Sequence, residues 1–389
     1  MKRVIFLMIV ILLGALYLNY DGDTKKSDNV PTSDSSMKGV FVSYIDYASL
    51  KGKEVKEQKN IINEMVNNVS YFGFNTVILQ VRAFSDAIYD SSYFPLSSVM
   101  AYDEQGVLFD VLSYFIEKCN NKDILVYAWI NPYRISNDGD KSKISKNASY
   151  YKWLDTNKIG VYDNGIYFNP ADSDVLELIL NGVSEIVKNY KVAGVLYDDY
   201  FYPNDVIDMQ NYEDYKGELS LNSYRVNNIS NLLKESYLRV KSINKDVLFG
   251  ISPSGNVENN LNYEYLDIKN VLKDKYLDFI MPQLYYGFNN QNKPYMKVLK
   301  EWSGLNVNKI DLYVALSLYK SGMVDTYAGN GKDEWVSNSD IIKRQVLSSS
   351  VVNDYSGFVI FRYEYLFEIF DNDNLVSEVN GLQKIMNIK

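Results

Sequence analysis

The sequence predicts a single (β/α)8 TIM barrel over residues 38–389, with long loops after several strands. From Lys38 onward, eight strand-like segments alternate with helix-like segments. The strands are nearly continuous apolar runs, which is typical of parallel strands covered on both faces. Eight such units in roughly 350 residues fit a barrel with insertions. An open doubly wound sheet is the alternative, although no glycine-rich phosphate loop follows the first strand.

Short apolar runs that end in polar residues or proline define the strands. In chain order they are residues 38–47, Phe74–Arg82, Ile124–Asn131, the apolar start of Val192–Pro203, Asp246–Pro253, Leu277–Tyr285, Asp311–Leu318 and Gly357–Arg362. Segments with apolar residues at helical spacing lie between them. The predicted helices are residues 55–69, Asp110–Asn121, Asp172–Tyr190, Leu221–Asn244, Tyr263–Lys275, Pro294–Gly304, Ser339–Ser348 and Leu375–Met386. No internal repeat or second pattern interrupts this alternation.

Four prolines mark the ends of neighbouring strands and support the barrel independently. Pro132, Pro203, Pro253 and Pro282 lie at or near the ends of the third to sixth strands. Because proline has no N–H to donate and a barrel has no edge strand, these residues should end the ladders. Strand-like residues flank Pro282 on both sides, so we expect a bulge or a cis peptide at Met281–Pro282.

The N-terminus has the pattern of an export segment. Lys2 and Arg3 precede the apolar residues 4–18, a run that is shorter than a comfortable transmembrane helix. We expect residues 1–20 to be a signal peptide or an uncleaved signal-anchor. Residues 21–37 are rich in Ser, Asp and Pro, and this predicts a disordered linker. Both alternatives place the body outside the cytoplasm, either secreted or tethered to the outer face of the cell membrane through residues 4–18.

Composition narrows the chemistry that the chain can perform. It contains no histidine, which excludes a Ser-His-Asp triad, a histidine general base and a histidine-ligated zinc site. The single cysteine, Cys119, lies on a predicted helix and is expected to be a small core residue. With neither a metal cluster nor a phosphate cradle, no cofactor is expected. The 40 basic and 49 acidic residues form no basic patch, so no nucleic-acid partner is expected.

Polar and aromatic side chains collect at the C-terminal ends of the predicted strands, where barrel enzymes place their active sites. They are Asp46, Arg82, Asp86, Trp129, Asn131, Arg134, Asp198, Asp199, Ser252, Ser254, Gln283, Tyr285, Tyr319, Lys320, Arg362 and Glu364. Paired carboxylates can protonate a glycosidic oxygen and stabilise an oxocarbenium ion, and aromatic rings can stack on sugars. The adjacent Asp198 and Asp199 are therefore the candidate catalytic pair. Each of these residues also has an interpretation without a catalytic or substrate-binding role. The paired aspartates could lie on a solvated loop, and Arg82 could only neutralise a buried aspartate. Trp129 and Tyr285 could be core residues.

Several motifs resemble the glycosyl-hydrolase-like family 10, or DUF187, of bacterial envelope proteins. They are FNTVILQVRAFSDAIYDSSYFPLS, VYAWINPYRI, AGVLYDDYFYP, RVNNISNLLK, VLFGISPSGN and FIMPQLYYGF, and the resemblance runs from about Gly39 to Phe361. It implies a TIM-barrel glycoside hydrolase. Some members of the family are implied to cut peptidoglycan glycan strands that have lost their peptides.

The resemblance also assigns residues to the site. Asp198 and Asp199 match the family's paired aspartates, Arg82 and Asp86 its second-strand motif, Asn131 and Arg134 its third-strand motif, and Gln283 and Tyr285 its sixth-strand motif. Leu196 stands where the family often has a histidine, so any role of that histidine is absent. The chain is also distantly similar to chitinase-like barrels, in which the substrate's own acetamido group is the nucleophile. Their catalytic glutamate position falls on Tyr200, so that mechanism does not carry over.

The sequence thus predicts an exported glycoside hydrolase whose polysaccharide substrate is cell-wall glycan, with peptide-stripped peptidoglycan as the implied form. Of Asp198 and Asp199, one is the acid and the other polarises the substrate or activates water. The predicted substrate-binding residues are Arg82, Asp86, Trp129, Asn131, Arg134, Tyr200, Gln283 and Tyr285, and no metal ligand is predicted. The alternatives are a non-catalytic polysaccharide-binding barrel of the envelope, and a polysaccharide deacetylase, which would need a metal.

Overall fold

Eight parallel strands close into a barrel in the computed structural model of the protein, which describes residues 36–162 and 164–386. The strands are β1 (Met37–Val42), β2 (Thr76–Arg82), β3 (Ala101–Tyr102), β4 (Leu108–Phe109), β5 (Leu125–Ile130), β6 (Arg134–Ser136), β7 (Ile159–Tyr162), β8 (Gly165–Phe168), β9 (Gly194–Tyr197), β10 (Leu248–Ile251), β11 (Phe279–Ile280), β12 (Asp311–Ser317) and β13 (Tyr355–Phe361). Around the barrel they follow the order β1, β13, β12, β11, β10, β9, β5, β2. The predicted TIM barrel is confirmed.

Helices follow the barrel strands and cover their outer faces. They are α1 (Val55–Phe72), α2 (Val111–Asn120), α3 (Ser173–Asn189), α4 (Met209–Asp214), α5 (Leu221–Ile243), α6 (Val257–Glu264), α7 (Ile268–Lys273), α8 (Tyr295–Leu305), α9 (Glu334–Ser337), α10 (Ile341–Ser349), α11 (Tyr363–Phe367) and α12 (Asp373–Met386). The helix predicted over Tyr263–Lys275 is two helices instead, because Tyr265 adopts a left-handed backbone conformation (φ 52°) that ends α6.

The packing of α3 shows why these helices form where they do. Its carboxylate cap, Asp172, accepts hydrogen bonds from the N–H groups of Asp174 (2.9 Å) and Val175 (3.2 Å). Apolar residues then recur at helical spacing and are buried, among them Ile179 and Ile186. Each such side chain contributes about 1.5–3 kcal/mol when it is fully removed from water.

Two small antiparallel sheets lie in the long loops after β2 and β5. Strand β3 pairs with β4, and β8 pairs with both β6 and β7. The sequence predicted these segments as loops, because strands of two to four residues produce no alternation long enough to detect. They give defined structure to the two longest insertions beside the barrel mouth.

Aromatic rings fill the interior of the barrel. The rings of Tyr127 on β5 and Phe279 on β11 have centroids 5.6 Å apart, although these strands are not neighbours. Gly194 and Gly250 make room for them, because a Cβ at either position would overlap the ring of Tyr127 or Phe279. Because side chains alternate between the two faces of a strand, every second residue from Tyr127 on β5 and from Phe279 on β11 also points into the barrel.

Pro282 follows β11 without the bulge or cis peptide that the sequence led us to expect. Phe279 pairs with Asp311 and Gln283 pairs with Ala315, so the register is the same before and after the proline. The one cis peptide bond among the described residues joins Phe361 and Arg362 instead. The Pro282 carbonyl still accepts a hydrogen bond from Ala315 N (3.1 Å), so the proline removes a single ladder donor and shortens β11.

The predicted export segment, residues 1–20, lies outside the described residues. The predicted linker, residues 21–37, does so up to residue 35, and β1 begins at Met37. Within the part of the chain that the structure describes, no helix combines the length and apolar character needed to cross a membrane.

Candidate active site

The inward-facing positions become polar at the C-terminal ends of the barrel strands. Trp129 on β5 contacts Phe41 on β1 across the interior, with ring centroids 5.4 Å apart. Leu196 pairs with Trp129 in register, so two residues later Asp198 also faces inward. The same alternation identifies a polar layer at the mouth, which consists of Gln80, Asp198, Ser252, Gln283 and Ser317. Asp198 therefore lies on the axis side of the barrel, at the C-terminal end of β9.

The two carboxylate oxygens of the buried Asp198 have different surroundings. Oδ2 accepts hydrogen bonds from Trp129 Nε1 (3.0 Å) and Asn131 Nδ2 (3.4 Å). Oδ1 has no partner with ordinary hydrogen-bond geometry among the described residues, although the backbone N–H of Tyr200 is near enough to lower the pKa of the group. Burial, and then the charge of Asp199, raises the pKa of Asp198 to about 7, against a smaller opposing effect of Arg134. This carboxyl group can hold a proton near neutral pH, and Oδ1 is the oxygen that is free to carry it.

Trp129 and Asn131 hold the Asp198 side chain and do not face the solvent. Both are buried, and both donate to the same oxygen of Asp198. The other end of the Asn131 amide accepts a hydrogen bond from Arg134 N (2.9 Å). Because its donor and its acceptor are both engaged, the Asn131 side chain orients Asp198 and has little left to offer a sugar.

Asp199 is only half-buried and points to a different set of neighbours. Burial raises its pKa, while the side chain of Gln283 and the charge of Arg134 lower it. Gln283 also donates from Nε2 to Ser252 O (3.0 Å), which fixes the amide beside the pair. The negative charge of Asp199 contributes to the raised pKa of Tyr285, after burial and Tyr319. The structure thus brings Gln283 and Tyr285 close to Asp199.

Arg134 is held between two aromatic rings from different loops. Its guanidinium carbon lies 4.7 Å from the ring centroid of Phe84 and 5.1 Å from that of Tyr200. Its Nε donates to Ala83 O (3.2 Å). Since Arg134 lowers the pKa of both Asp198 and Asp199, it is the cation of the site.

Tyr200 presents the most exposed ring beside the paired aspartates. It follows them directly in the chain, and 53% of its surface is exposed. The charge of Asp199, and then burial, raises the pKa of Tyr200 to about 12, so its hydroxyl keeps its proton. An exposed ring with a polar tip suits contact with a sugar face.

A second group of rings continues from Tyr285 across the ends of β12 and β13. The ring centroid of Tyr319 lies 6.0 Å from that of Tyr285 and 6.1 Å from those of Phe361 and Tyr365. All four side chains are partly exposed. This aromatic group (Tyr285, Tyr319, Phe361 and Tyr365) gives the mouth a second apolar surface.

Arg82 does not lie in the mouth. The register between β2 and β5 shifts after Gln80, and Arg82 pairs with Ile130, whose side chain faces the helices. Its guanidinium carbon lies 4.0 Å from the ring centroid of Phe94, and its Nη1 packs against Gly182 of α3. Arg82 is therefore a buried brace between barrel and helix, and it cannot contact a substrate in the mouth.

Asp86 belongs to the loop after β2 and is not brought to the paired aspartates. Burial raises its pKa, while the Ser97 side chain and backbone N–H groups of the loop lower it. Its charge acts on the buried Tyr47 and Tyr150. The structure therefore assigns Asp86 to the organisation of this loop.

Three rim residues at the ends of β1 and β13 are engaged with one another. Asp46 accepts hydrogen bonds from Arg362 Nη1 (3.0 Å), Glu364 N (3.0 Å) and Ser43 N (2.7 Å). Arg362 Nη2 pairs with the Glu364 carboxylate. These contacts close the barrel seam between its first and last strands.

Sequence reasoning missed the residues that hold the segment after β9. Glu264 Oε2 accepts hydrogen bonds from Phe201 N (2.9 Å) and Tyr202 N (3.0 Å). Asp208 and Arg225 form a buried ion pair (2.9 Å), and Tyr202 donates its hydroxyl to Asp208 (2.7 Å). Arg225 lies in the RVNN motif, which marked it without explaining it. Glu264 has no local signal, because its partners are distant in sequence.

The sequence matches the glycosyl hydrolase-like 10 family over residues 36–336. The chain belongs to this family. It is 30% identical to the glycosyl hydrolase YngK of Bacillus subtilis over 316 residues, which is 74% of this chain and 62% of YngK. It is 25% identical to the glycosyl hydrolase DigH of Escherichia coli over 380 residues, which is 86% of this chain and 84% of DigH. Family membership supports the predicted glycoside hydrolase activity.

Solved glycoside hydrolase structures share the fold. The glycoside hydrolase domain of PgaB (BpsB) from Bordetella bronchiseptica superposes with a TM-score of 0.57 at 11% identity, covering 91% of this chain and 99% of that domain. The endo-1,4-beta-mannanase of Rhizomucor miehei gives a TM-score of 0.54 at 12% identity, covering 90% and 95%. At these identities the likeness concerns the barrel alone.

Proposed function

We propose that this protein is a glycoside hydrolase that cleaves amino-sugar-containing cell-wall glycan, with peptide-stripped peptidoglycan strands as its substrate. The observation that carries the proposal is the state of Asp198. One oxygen is held by Trp129 and Asn131, the other is unpartnered, and the carboxyl group titrates near neutral pH. Most buried polar side-chain atoms have a hydrogen-bond partner, so an unpartnered carboxylate oxygen at the mouth of the barrel supports a functional role.

Asp198 acts as the general acid. Its Oδ1 proton passes to the glycosidic oxygen as the bond from that oxygen to the anomeric carbon breaks. The leaving chain departs as an alcohol, and water adds to the anomeric carbon. The proton that this water releases restores the acid form, so the sum of the steps is hydrolysis.

Asp199 supplies the negative charge of the reaction. As a carboxylate it stabilises the positive charge of the oxocarbenium-like transition state or activates the attacking water. Gln283 and Arg134 both lower its pKa and thus favour this ionised form. The pair divides the two roles because burial and hydrogen bonding differ between two adjacent residues.

The rim supports an anionic amino sugar rather than a plain glucan. Removing the peptide from peptidoglycan frees a lactyl carboxylate, and the Arg134 guanidinium between Phe84 and Tyr200 is placed to attract one. Gln283 keeps its carbonyl oxygen for a hydroxyl or an acetamido N–H. Tyr200 and the aromatic group supply apolar surfaces for sugar rings.

The export pattern at residues 1–20 suits a substrate in the cell wall. We infer that the barrel is held or released outside the cytoplasm, where this glycan lies. The basic start and apolar run carry this inference.

Digestion of defined glycans tests the proposal. Purified protein is incubated with peptide-stripped peptidoglycan strands, intact peptidoglycan, cellulose and starch, and the soluble products are identified by mass spectrometry. We expect oligosaccharides from the stripped strands, fewer from intact peptidoglycan, and none with Asp198→Asn. Binding without product release would favour a carbohydrate-binding barrel, and faster cleavage of cellulose or starch would overturn the substrate assignment.

A further inference from the structure

Glu264 lies at the end of α6, in the loop that follows the strand next to β9. Its Oε2 accepts hydrogen bonds from two successive backbone N–H groups, those of Phe201 and Tyr202. These residues come directly after Tyr200, the exposed ring beside Asp198 and Asp199. The side chain therefore connects one wall of the mouth to the segment that carries the catalytic pair.

The carboxyl groups of Asp199 and Asp198 act on Glu264. Burial raises its pKa to about 7, and the charges of Asp199 and Asp198 raise it as well, against the two backbone hydrogen bonds. Glu264 in turn contributes to the raised pKa of Tyr200. Arg134 acts on the two aspartates and on Tyr200 as the nearby positive charge. Three carboxyl groups thus share one partly buried region.

We propose that Glu264 is a positioning residue of the active site, which holds the Phe201–Tyr202 segment directly after the catalytic pair and whose charge is coupled to the charges of that pair. The proposal rests on the proposed function, because it takes Asp198 as the acid. Two N–H groups aimed at one oxygen favour the ionised carboxylate. A negative charge fixed there disfavours a second one on Asp198, so the two carboxyl groups titrate as a coupled set.

The chain provides a matched control in Glu334 of α9. This buried carboxylate also holds two successive N–H groups, in the loop after β11: Oε1 accepts a hydrogen bond from Phe288 N (3.0 Å) and Oε2 from Asn289 N (2.7 Å). Glu264→Gln and Glu334→Gln each remove one carboxylate that holds a loop, but only Glu264 holds the segment that follows Asp198 and Asp199.

The experiment compares the pH dependence of kcat/KM for wild type, Glu264→Gln and Glu334→Gln on peptide-stripped strands. We expect Glu264→Gln to keep its low-pH rate within about twofold and to move the alkaline limb about 0.5–1 pH unit lower. Glu334→Gln should leave the limb unchanged. Glu264→Ala, which also frees the segment, should in addition raise KM. The proposal is overturned if the alkaline limb of the pH profile does not move in Glu264→Gln. It is also overturned if the limb moves equally in Glu264→Gln and Glu334→Gln.

A titration that needs no turnover separates this proposal from the proposed function. With ¹³C-labelled aspartate carboxyls, and Asp198→Asn to assign the signal, the Asp198 resonance is followed against pH in wild type and Glu264→Gln. A lower midpoint in Glu264→Gln supports the coupling even if no tested glycan is cleaved. An unchanged midpoint in a folded variant contradicts it, whatever the activity.

Discussion

At the residue scale, alternation along β9 decides what each side chain can do. Tyr197 faces the helices, where its hydroxyl contacts Ser236 Oγ (2.8 Å), and Asp198 faces the barrel interior. Asp199 follows at the strand end and is half-buried. Two neighbouring aspartates thus enter two environments. Burial raises the pKa of both, but the charge of Asp199 raises that of Asp198 further, and the Gln283 side chain lowers that of Asp199.

Neutralising either aspartate tests the catalytic pair. Asp198→Asn and Asp199→Asn should each lower kcat by about 10²–10⁴-fold, the usual contribution of a positioned acid or base. Both variants should keep cooperative thermal unfolding, because asparagine preserves the shape of the side chain. Near-wild-type rates in both variants would show that the pair is structural.

The raised pKa of Asp198 predicts the pH dependence of activity. The acid form is required, so kcat/KM should fall as the pH rises through about 7. Rate measurements from pH 4 to 9 on one soluble glycan check this limb. A rate that keeps rising through pH 8 would contradict the role of Asp198 as acid.

The same group makes a prediction about stability. Its pKa is raised from 3.8 in the folded state, so its contribution to stability is fully present below about pH 4 and is lost as the pH rises through about 7. Above pH 7, Asp198→Asn should therefore have a larger free energy of unfolding than wild type. If the difference in the free energy of unfolding between Asp198→Asn and wild type is the same at pH 5 and at pH 8, ionised Asp198 does not destabilise the folded state and the prediction is wrong.

Part of the site was predictable from sequence because its residues follow strand ends directly. Asp198, Asp199 and Arg134 lie at or just after such ends, and the structure brings them together. Arg82 has the same kind of position, but the register shift after Gln80 turns it to the other face, and no sequence pattern announces that shift. Glu264 acts through backbone N–H groups about sixty residues away, a contact that only the closed barrel creates.

At the scale of elements, strands and helices were predicted best where they are long. Buried apolar runs located the barrel strands, and amphipathic spacing located helices such as α3 and α5. Elements of two to six residues in the loops were missed, because their conformation depends on packing against the rim rather than on a repeating pattern. Strand β11 is shorter than predicted, since Pro282 removes a donor from its ladder.

The packing between β2 and α3 leaves no room for an added methyl group at Gly182, so a glycine-to-alanine substitution tests it. A Cβ at Gly182 would overlap Arg82 Nη1 and the ring of Phe94, so Gly182→Ala should lower the free energy of unfolding by about 1–3 kcal/mol. Gly381 is also helical, and a Cβ there meets only ordinary contacts. Gly381→Ala should raise stability by about 0.5–1 kcal/mol. Urea unfolding measures the free energy of unfolding of both variants. If the two substitutions change it equally, the tight packing of Arg82 against α3 is contradicted.

At the scale of the whole molecule, the barrel places every feature of the proposed chemistry at one end. The polar layer, the rings around Arg134 and the aromatic group all follow from the C-terminal ends of parallel strands. The opposite end contributes stability. The export pattern and the linker are sequence features only, and the proposed location outside the cytoplasm rests on the export pattern.

Cell fractionation tests the export segment. In the native host, the barrel should be found outside the cytoplasm, either membrane-bound or free, and deletion of residues 1–20 should leave it in the cytosol. Full-length protein that is found only in the cytosol would refute the export interpretation.

Chelation tests the two-carboxylate chemistry. No group of three or more His, Cys, Asp or Glu side chains in the described residues is arranged to hold a metal ion. Activity on stripped strands should therefore survive EDTA. Loss of activity that zinc or manganese restores would require a metal mechanism instead.

Glutamate side chains fasten three loop segments of the rim. Glu185 of α3 holds the Ser91–Ser92 segment, Glu264 of α6 the Phe201–Tyr202 segment, and Glu334 of α9 the Phe288–Asn289 segment. In each case the glutamate belongs to a different element of the chain from the segment that it holds. Grafting a loop from a relative should therefore succeed only when its glutamate travels with it, and the two together form the unit by which such a barrel can change its specificity.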